Sequence, residues 1–501
     1  MRRMEAFYGV VENVSNLIWG GSWGDRQITP LPPMVVALLG TGFYFMIRLK
    51  FRPLLRLGPA FAELWSGRKG QGKGEITPWQ ALSTALSGQV GTGNLAGVAT
   101  AIALGGPGAI FWMWVTAIVG MAAAFAEGSL AVRFRERHPD GHFHGGPMYY
   151  IKNGLGKGWG WLAVLFCLGT LLSATATGGM IQSNSIAEGV VEMVQPVADA
   201  LPGFLLEDRG TGMELANWVP GLIVAALTFL VIIGGIKSIG RVAGKVVPFM
   251  AAFYIVCALA VLVMHASHIP GAFVQIFSYA FGFEQAAGGL AGYGVMAAVR
   301  YGVARGLFSN EAGQGSTPIA HAAAQTDSPV RQGEIAMLGT FIDTIVICTM
   351  TALVILVVEG AYPSAGGTVS YAWQSTQLEG IEVTTAAYDA GIPLGRWIVA
   401  GALALFAFTT IIGWSYYAET AITYLVGDWA ARPFRFVWVA IVFVGALQEV
   451  GFVWRFGDIA NAAMALPNLV AILGLSGVVF AMTRQVGRNP AGVGEETPGS
   501  G

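Results

Sequence analysis

Eleven stretches of this sequence are each long and apolar enough to cross a hydrocarbon layer, and that recurrence limits the fold more than any other feature. A helix rises about 1.5 Å per residue, so a bilayer core of about 30 Å asks for roughly 20 apolar residues. Runs of that kind, bounded by charge or by Gly and Pro, fall near residues 31–48, 79–103, 109–132, 160–187, 219–236, 246–264, 288–309, 334–358, 396–426, 434–450 and 462–483. Composition agrees: 54% of the 501 residues are apolar and 11% are charged, against roughly 25% charged in soluble domains. The 70 glycines suit closely packed membrane helices. No soluble domain fits between the runs, and a net charge of −1 offers nothing to nucleic acid. The expectation is an all-α integral membrane protein whose main partner is the lipid bilayer.

The flanks read differently. Residues 1–30 are too polar to span and lack a small-residue cleavage site, so they read as an interfacial amphipathic segment rather than a signal peptide. Residues 484–501 become rich in Gly, Pro and Glu and read as a disordered cytoplasmic tail. Cys167, Cys257 and Cys348 lie inside apolar runs at no metal-ligand spacing and read as packing residues.

Loop charge orients the chain, because Lys and Arg accumulate on the cytoplasmic side. Loop 48–78 holds Arg48, Lys50, Arg52, Arg56, Arg68, Lys69 and Lys73, and loops 133–159, 237–245 and 427–435 continue the bias. The alternate loops are acidic: 188–218 carries six acids against Arg209, and 359–394 has no base. The pattern predicts a multi-pass protein of the cell inner (plasma) membrane, N-terminus outside and C-terminus cytoplasmic. Arg2 and Arg3 are the discordant residues.

Two spans are interrupted at an energetic cost. Ser87-Gly88-Gln89-Val90-Gly91-Thr92-Gly93-Asn94 puts three glycines and two amides into the second span. Each glycine costs roughly 1 kcal/mol of helix propensity, and backbone groups left unpaired in lipid cost several more. A helix-packing face would not need Gln89 and Asn94 so close together. The second interruption, Gly306 to Ser316, includes Phe308, Ser309, Asn310, Glu311 and Gln314; its other reading is an ordinary loop near the inner boundary. Counted from the second span, the breaks fall in elements one and six of ten, and corresponding breaks in two halves point to an inverted-repeat transporter with a midplane site.

Broken helices expose chemistry. A half-helix N-terminus suits a substrate carboxylate, and unwound carbonyls with side-chain oxygens suit Na⁺. A zwitterionic amino acid matches both ends. In the ninth span Thr410 and Trp414 share a helix face. Either they bound a pocket for a small side chain, or Thr410 back-bonds to its own helix while Trp414 anchors at an interface. Glu127, Asp343 and Glu419 lie in or at the ends of spans, where they either relay protons or pair structurally with Arg300 or Arg305. His138, His142 and His144 sit among Pro139, Asp140 and glycines and read as a loop rather than a metal site. Gly20 to Gly24 matches a nucleophile elbow by letter only, and no P-loop or HExxH motif occurs.

The strings GQVGTGN, GGIKSIGRVAGKVVP, FSNEAGQGSTPIAHAAAQTD and TTIIGW resemble the alanine or glycine:cation symporter family, and the likeness covers nearly the whole chain. The resemblance implies a LeuT-type five-plus-five inverted repeat with one additional N-terminal helix. On that mapping 31–48 is the extra helix, 79–264 the first repeat and 288–483 the second. It also implies a sodium site built from main-chain oxygens of Ser87 and Val90 with the hydroxyls of Thr409 and Thr410. Gln89 and Asn94 would belong to a second sodium site in such relatives, but Gly88 stands where a ligand side chain is expected, so one coupling ion is the reading. Substrate contacts are expected from Gln89, Gly91, Thr92, Gly93, Gln182, Phe308, Ser309, Thr410 and Trp414, with Thr175 a weaker candidate.

The function expected is secondary symport of alanine and glycine with Na⁺ by alternating access, without an organic cofactor and without enzymatic chemistry. The alternatives are a proton-coupled amino-acid symporter, a channel and a membrane-embedded enzyme. A channel needs a continuous polar pore rather than two inequivalent breaks, and an enzyme needs a nucleophile and base at one depth.

Overall fold

The computed structural model describes residues 2–20, 22–23, 26–27, 32–70, 72–138, 141–198, 218–282, 291–448 and 450–488, and these are overwhelmingly helical. Among them, seven helical stretches are long and apolar enough to cross a membrane: Gly108–Arg133, Lys157–Val190, Gly235–Met264, Pro329–Val357, Gly395–Val426, Asp428–Ala446 and Phe456–Gly474. Pro33–Arg48, Ala96–Gly105 and Trp218–Ile232 are apolar but shorter. Among the described residues, strand is confined to three two-stranded hairpins.

The chain opens with α1 (Arg2–Trp19) and α2 (Pro33–Arg48). The first interrupted run becomes α3 (Pro78–Gln89) and α4 (Ala96–Gly105). A capping box starts α3: Thr77 accepts from the Gln80 N–H and the Gln80 side chain returns to the Thr77 N–H. Next come α5 (Gly108–Arg133), α6 (Gly160–Ser173), a π-helical segment at Ala174–Met180, and α7 (Ile181–Ala198). Then α8 (Trp218–Ile232), α9 (Gly235–Met264) and α10 (Ile269–Ala280) follow. The second interrupted run is α11 (Ala291–Asn310) and α12 (Thr317–Ala322). The chain ends through α13 (Pro329–Thr340), a π-helical segment at Phe341–Cys348, α14 (Thr349–Val357), α15 (Ile381–Gly391), α16 (Gly395–Val426), α17 (Ala431–Ala446), α18 (Val450–Gly474) and α19 (Ser476–Arg488).

Packing sorts these helices into two groups. Helices α4, α5 and α11 to α13 pack mainly on one another, and α6 to α8 pack with α16 to α18; α3 packs on α12 and α13 but also on α16, and α14 packs on α4, α9, α10 and α15. Helix α9 leans on α3 and α16. Large apolar side chains such as Leu222, Leu230, Phe249, Val256 and Val263 remain exposed on α8 and α9, as lipid-facing positions do. All three cysteines are unpaired thiols, two of them buried.

Several boundaries differ from the sequence reading: loop 359–394 contains α15, the stretch between 264 and 288 contains α10, and loop 48–78 contains a helix at Leu57–Ser66. Lys237, Arg241 and Lys245 do not lie in a loop; they are exposed on α9, which starts at Gly235. Their spacing of four puts them on one helix face, so the apolar face continues beneath a basic one. The last long helix ends at Gly474 instead of reaching 483, and it admits Asp458 and Asn461 because each is paired inside the bundle: Asp458 with Arg305 at 3.5 Å, Asn461 with Ser173 and Gln314. Residues 484–488 continue α19, while the tail 489–501 and the acidic segment 199–217 lie outside the described residues.

Helices α5 and α13 approach closely because two glycines leave room. A Cβ on Gly128 would stand 2.6 Å from Ala336 Cβ, and one on Gly333 would stand 2.6 Å from the Phe125 carbonyl. Gly333→Leu should therefore force the pair apart and lower stability by about 1–3 kcal/mol or more. Thermal unfolding in detergent checks this, with Gly158→Ala, which meets nothing within 4 Å, as control. Equal melting temperatures for Gly333→Leu and wild type would contradict the crossing.

Candidate functional site

The two interruptions face each other in the centre of the molecule. At the first, α3 stops at Gln89, Val90 is extended, Thr92–Asn94 makes a single 3₁₀ turn, and α4 resumes at Ala96. Asn94 Oδ1 accepts from the Gly91 N–H at 2.8 Å, and Gln182 Oε1 accepts from the Thr92 N–H at 3.1 Å. Freed carbonyls are answered from other helices: Thr351 donates to Asn94 O and Thr384 to Leu95 O.

The second interruption is narrower than the sequence suggested. Gly306 to Asn310 remain helical, and the break covers 311–316, where Gly313 and Gly315 adopt φ +84° and +89°, a region open to glycine at little cost. Glu311 is also left-handed, at φ +55°. The Gln89 amide donates to the Asn310 carbonyl that ends α11, so the first break helps satisfy the second.

Between them lies a small cavity lined by Gly88, Gln89, Gly91, Gly93, Thr177, Gln182, Phe308, Glu311, Gln314, Thr410, Trp414 and Asn461. Its volume is about 10 Å³, room for a single water. Anything larger therefore needs a wall to give way. Gly91 is required at this wall: a Cβ there would stand 2.6 Å from Thr410 Oγ1 and 3.1 Å from Gln182 Oε1. Gly93 similarly admits the Phe308 ring, 2.8 Å from where its Cβ would be.

Of the residues nominated from sequence, Gln89, Gly91, Gly93, Gln182, Phe308, Thr410 and Trp414 line the cavity. Thr92 stands behind it, its hydroxyl accepting from Gln182 at 3.1 Å. Ser309 and Asn94 are drawn elsewhere: both donate to the buried Asp343 carboxylate, at 2.7 and 2.6 Å, and Thr344 donates to it at 2.8 Å. Thr175 bonds back to Leu171 O and does not line the cavity. Thr177, Glu311, Gln314 and Asn461 do line it and were missed. Glu311 and Gln314 sat in plain view inside the second interruption, but Thr177 and Asn461 come from other helices and carried no local signal.

Two of the sodium-site nominees, Thr409 and Thr410, meet at the Phe406 carbonyl. The Thr410 hydroxyl lies 3.0 Å from Phe406 O and 3.2 Å from Val90 O, bridging α16 to the first break. The Thr409 hydroxyl lies 2.9 Å from the same Phe406 O but faces the Met250 sulfur on α9. The Ser87 hydroxyl is turned onto Thr84 O, which leaves its main chain as the part to consider.

Among the described residues, Glu127, Asp343 and Glu419 take partners other than Arg300 and Arg305. Glu419 pairs with Arg435 at 2.7 Å through both oxygens. Glu127 accepts from Asn468 and, at 3.3 Å, from the Gly313 N–H, and Asp343 has the three neutral donors above.

A wider vestibule of about 580 Å³ opens at one end of the bundle, among Glu75, His142, His144, Lys237, Tyr416, Glu419, Asp428, Arg432 and Arg435. Loops that the sequence assigned to one side therefore meet in one place. Beside it the Arg135 guanidinium donates to the carbonyls of Lys73, Ala322, Ala324 and Thr326 at 2.7–2.9 Å. Burial pulls its pKa down to about 10, which still leaves it charged near neutral pH. The vestibule reaches Tyr416 on α16, about 9 Å of helix from Thr410.

The comparisons with known proteins agree with one another. Residues 11–492 match the model of the sodium:alanine symporter family. Sodium/alanine symporter AgcS of Methanococcus maripaludis is 42% identical over 486 residues, 95% of this chain and 97% of that one. Amino-acid carrier protein AlsT of Bacillus subtilis is 36% identical, covering 99% of this chain and 97% of that one. The "Probable sodium/glutamine symporter GlnT" of Bacillus subtilis is 37% identical, at 91% and 88% coverage. Among solved structures, MhsT in complex with L-phenylalanine superposes with a TM-score of 0.58 at 15% identity, over 82% of this chain and 93% of that one, a likeness of fold.

Asn468 holds the second break in place: it donates to Glu127 and to Gly313 O, and accepts from the Tyr150 hydroxyl. Asn468→Leu keeps the volume but strips all three buried groups of a partner. Each such loss costs about 1–3 kcal/mol, so the variant should melt well below wild type in detergent. An unchanged melting temperature would mean that this network does not hold the break.

Proposed function

The chain belongs to the sodium:alanine symporter family, a family of transporters, and from that premise we propose that it carries alanine and glycine inward together with one Na⁺ by alternating access. The observation that carries the reading is the cavity between the two breaks, whose walls differ in polarity. One side presents the backbone around Gly91 to Gly93 in the turn before α4, where the N–H groups held by Asn94 and Gln182 would turn to a substrate carboxylate. The other presents Glu311 and the unpartnered Gln314 Oε1, suited to an ammonium group. Gln89, Thr92, Gln182, Phe308 and Ser309 complete or brace the pocket in this reading, and Trp414 closes it on the side-chain end. Na⁺ is held by the carbonyls of Ser87 and Val90 with the hydroxyls of Thr409 and Thr410, an all-oxygen shell suited to a hard monovalent cation. Asn94 positions Gly91 and Asp343 rather than joining that shell.

The proposed architecture counts eleven crossings: α2, then five in the span 79–264 and five in 288–483, the halves related by an inverted repeat of the LeuT type. In the proposed orientation, which the basic loops support, the vestibule and the C-terminus face the cytoplasmic side of the inner membrane and the N-terminus lies outside. Proton coupling is the second reading, favoured by the buried carboxylates of Glu127, Glu311 and Asp343. Uptake of labelled alanine into proteoliposomes separates the two. A sodium gradient should drive accumulation; full accumulation on a proton gradient in sodium-free buffer would reverse the ion assignment.

The ion shell makes its own forecast. Thr410→Val removes the hydroxyl that bridges to Val90 O and should raise the half-saturating Na⁺ concentration by about ten-fold, or ~1.4 kcal/mol. Thr409→Val should raise it less, since that hydroxyl also faces Met250, and Thr410→Ser should be mild. Because ion and substrate binding are linked, alanine affinity in Thr410→Val should recover at high sodium. Sodium titrations that coincide with wild type in both Val variants would remove both threonines from the shell.

Trp414 is expected to set substrate size. It packs so tightly that a Cβ on Gly178 would collide with its ring. Trp414→Leu should admit valine and leucine as competitors of alanine uptake, and an unchanged competition profile in an active variant would exclude Trp414 from the pocket.

A further inference from the structure

The segment after α5 folds into a hairpin in which Glu136 pairs with His144 and Arg137 with Phe143. The fold brings this hairpin against the turn Asp428–Ala430 that follows α16. His138 Nδ1 stands 2.9 Å from Asp428 Oδ2, and the His138 and His144 rings lie 4.3 Å apart. The candidate ligand atoms of His138, His144 and Asp428 all fall within 4.8 Å of one another. Ligands about 2.0–2.1 Å from a tetrahedral ion sit roughly 3.3 Å apart, so small side-chain rotations would bring these three around one centre. Asp428 is 45% exposed, which leaves water as a fourth ligand.

We propose that His138, His144 and Asp428 form a site for a divalent transition metal such as Zn²⁺, and that the bound ion ties the two helix groups together at the vestibule. Two imidazoles and one carboxylate make a borderline-soft donor set, suited to Zn²⁺ and poorly suited to Na⁺, Mg²⁺ or Ca²⁺. The tie follows from where the hairpin is anchored. Glu75, just before α3, accepts from the Phe143 N–H at 2.7 Å and meets His142 Nδ1 at 2.7 Å. Arg135 clasps the chain at 322–326, just after α12. The hairpin is thus anchored to the segments that flank both breaks, whereas Asp428 opens the turn after α16, which packs with α6 to α8. A metal between them replaces a hydrogen bond at the surface by coordination bonds across the boundary that must move in alternating access.

The test uses tag-free, full-length protein in detergent, titrated with Zn²⁺ against a chromogenic chelator. Wild type should bind one Zn²⁺ per chain at micromolar metal. His138→Ala and Asp428→Asn should each weaken binding by about ten-fold or more, as loss of one of three protein ligands predicts. His142→Ala, on the same hairpin but facing Glu75, should bind like wild type. Absence of stoichiometric binding, or equal affinity in wild type, His138→Ala and Asp428→Asn, would overturn the site. In proteoliposomes, Zn²⁺ on the vestibule side should slow alanine uptake several-fold in wild type and leave Asp428→Asn unaffected. Binding without slowing would overturn the tie. The tie rests on the transport reading above, but the chelator titration needs no transport and stays decisive if that reading fails.

Discussion

Backbone polar groups have no water to turn to in hydrocarbon, and two helices of this protein stop in the middle of the bundle. The surrounding structure is organised around that constraint. Gln89 at the end of one half-helix caps the carbonyl of Asn310 at the end of the other. Asn94 serves the Gly91 N–H with its oxygen and Asp343 with its nitrogen. Thr351 and Thr384 reach in from α14 and α15 to take the carbonyls of Asn94 and Leu95. Irregular backbone at this depth is tolerated where neighbours or a polar cavity satisfy it, and both conditions are met here.

The same satisfaction is deliberately incomplete at the cavity. Gln89 Oε1 and Gln314 Oε1 are buried without a partner, and Glu311 leans on Ser316 at 2.6 Å. Unpaired acceptors in such a place are costly, so a ligand that supplies donors recovers the cost on binding. An ammonium group or a cation is the kind of ligand that two buried carbonyl oxygens can satisfy.

At the basic end, hydrogen bonding to carbonyls does what helix packing does elsewhere. Arg135 gathers the chain before α3 and the chain after α12 around one guanidinium, using the fork of donors that Lys lacks. The segment that leads into the first half-helix and the one that follows the second break are thereby held to each other and to the hairpin.

Much of this was legible in the sequence because hydrocarbon imposes a simple rule on length and polarity. Apolar runs exposed the helical membrane class, and glycine and amide clusters at 87–94 and 306–316 exposed the two breaks. The basic loops exposed the end at which the vestibule lies. Reading the basic stretch 237–245 as a loop failed because charge spaced by four is compatible with one exposed face of a helix, a distinction only packing reveals. The last long helix was displaced for the opposite reason: Asp458 and Asn461 look like a boundary until their partners on α11, α6 and the second break are known. Seven of the nine substrate-pocket nominees reached the cavity, since they lie on the interrupted segments or on the helices that cross them. Thr177 and Asn461 could not be found, nor could the turn of Ser309 and Asn94 toward Asp343. Those depend on which helices meet, and a chain's local pattern determines what each segment can satisfy by itself, while only the tertiary fold decides which distant group satisfies the remainder.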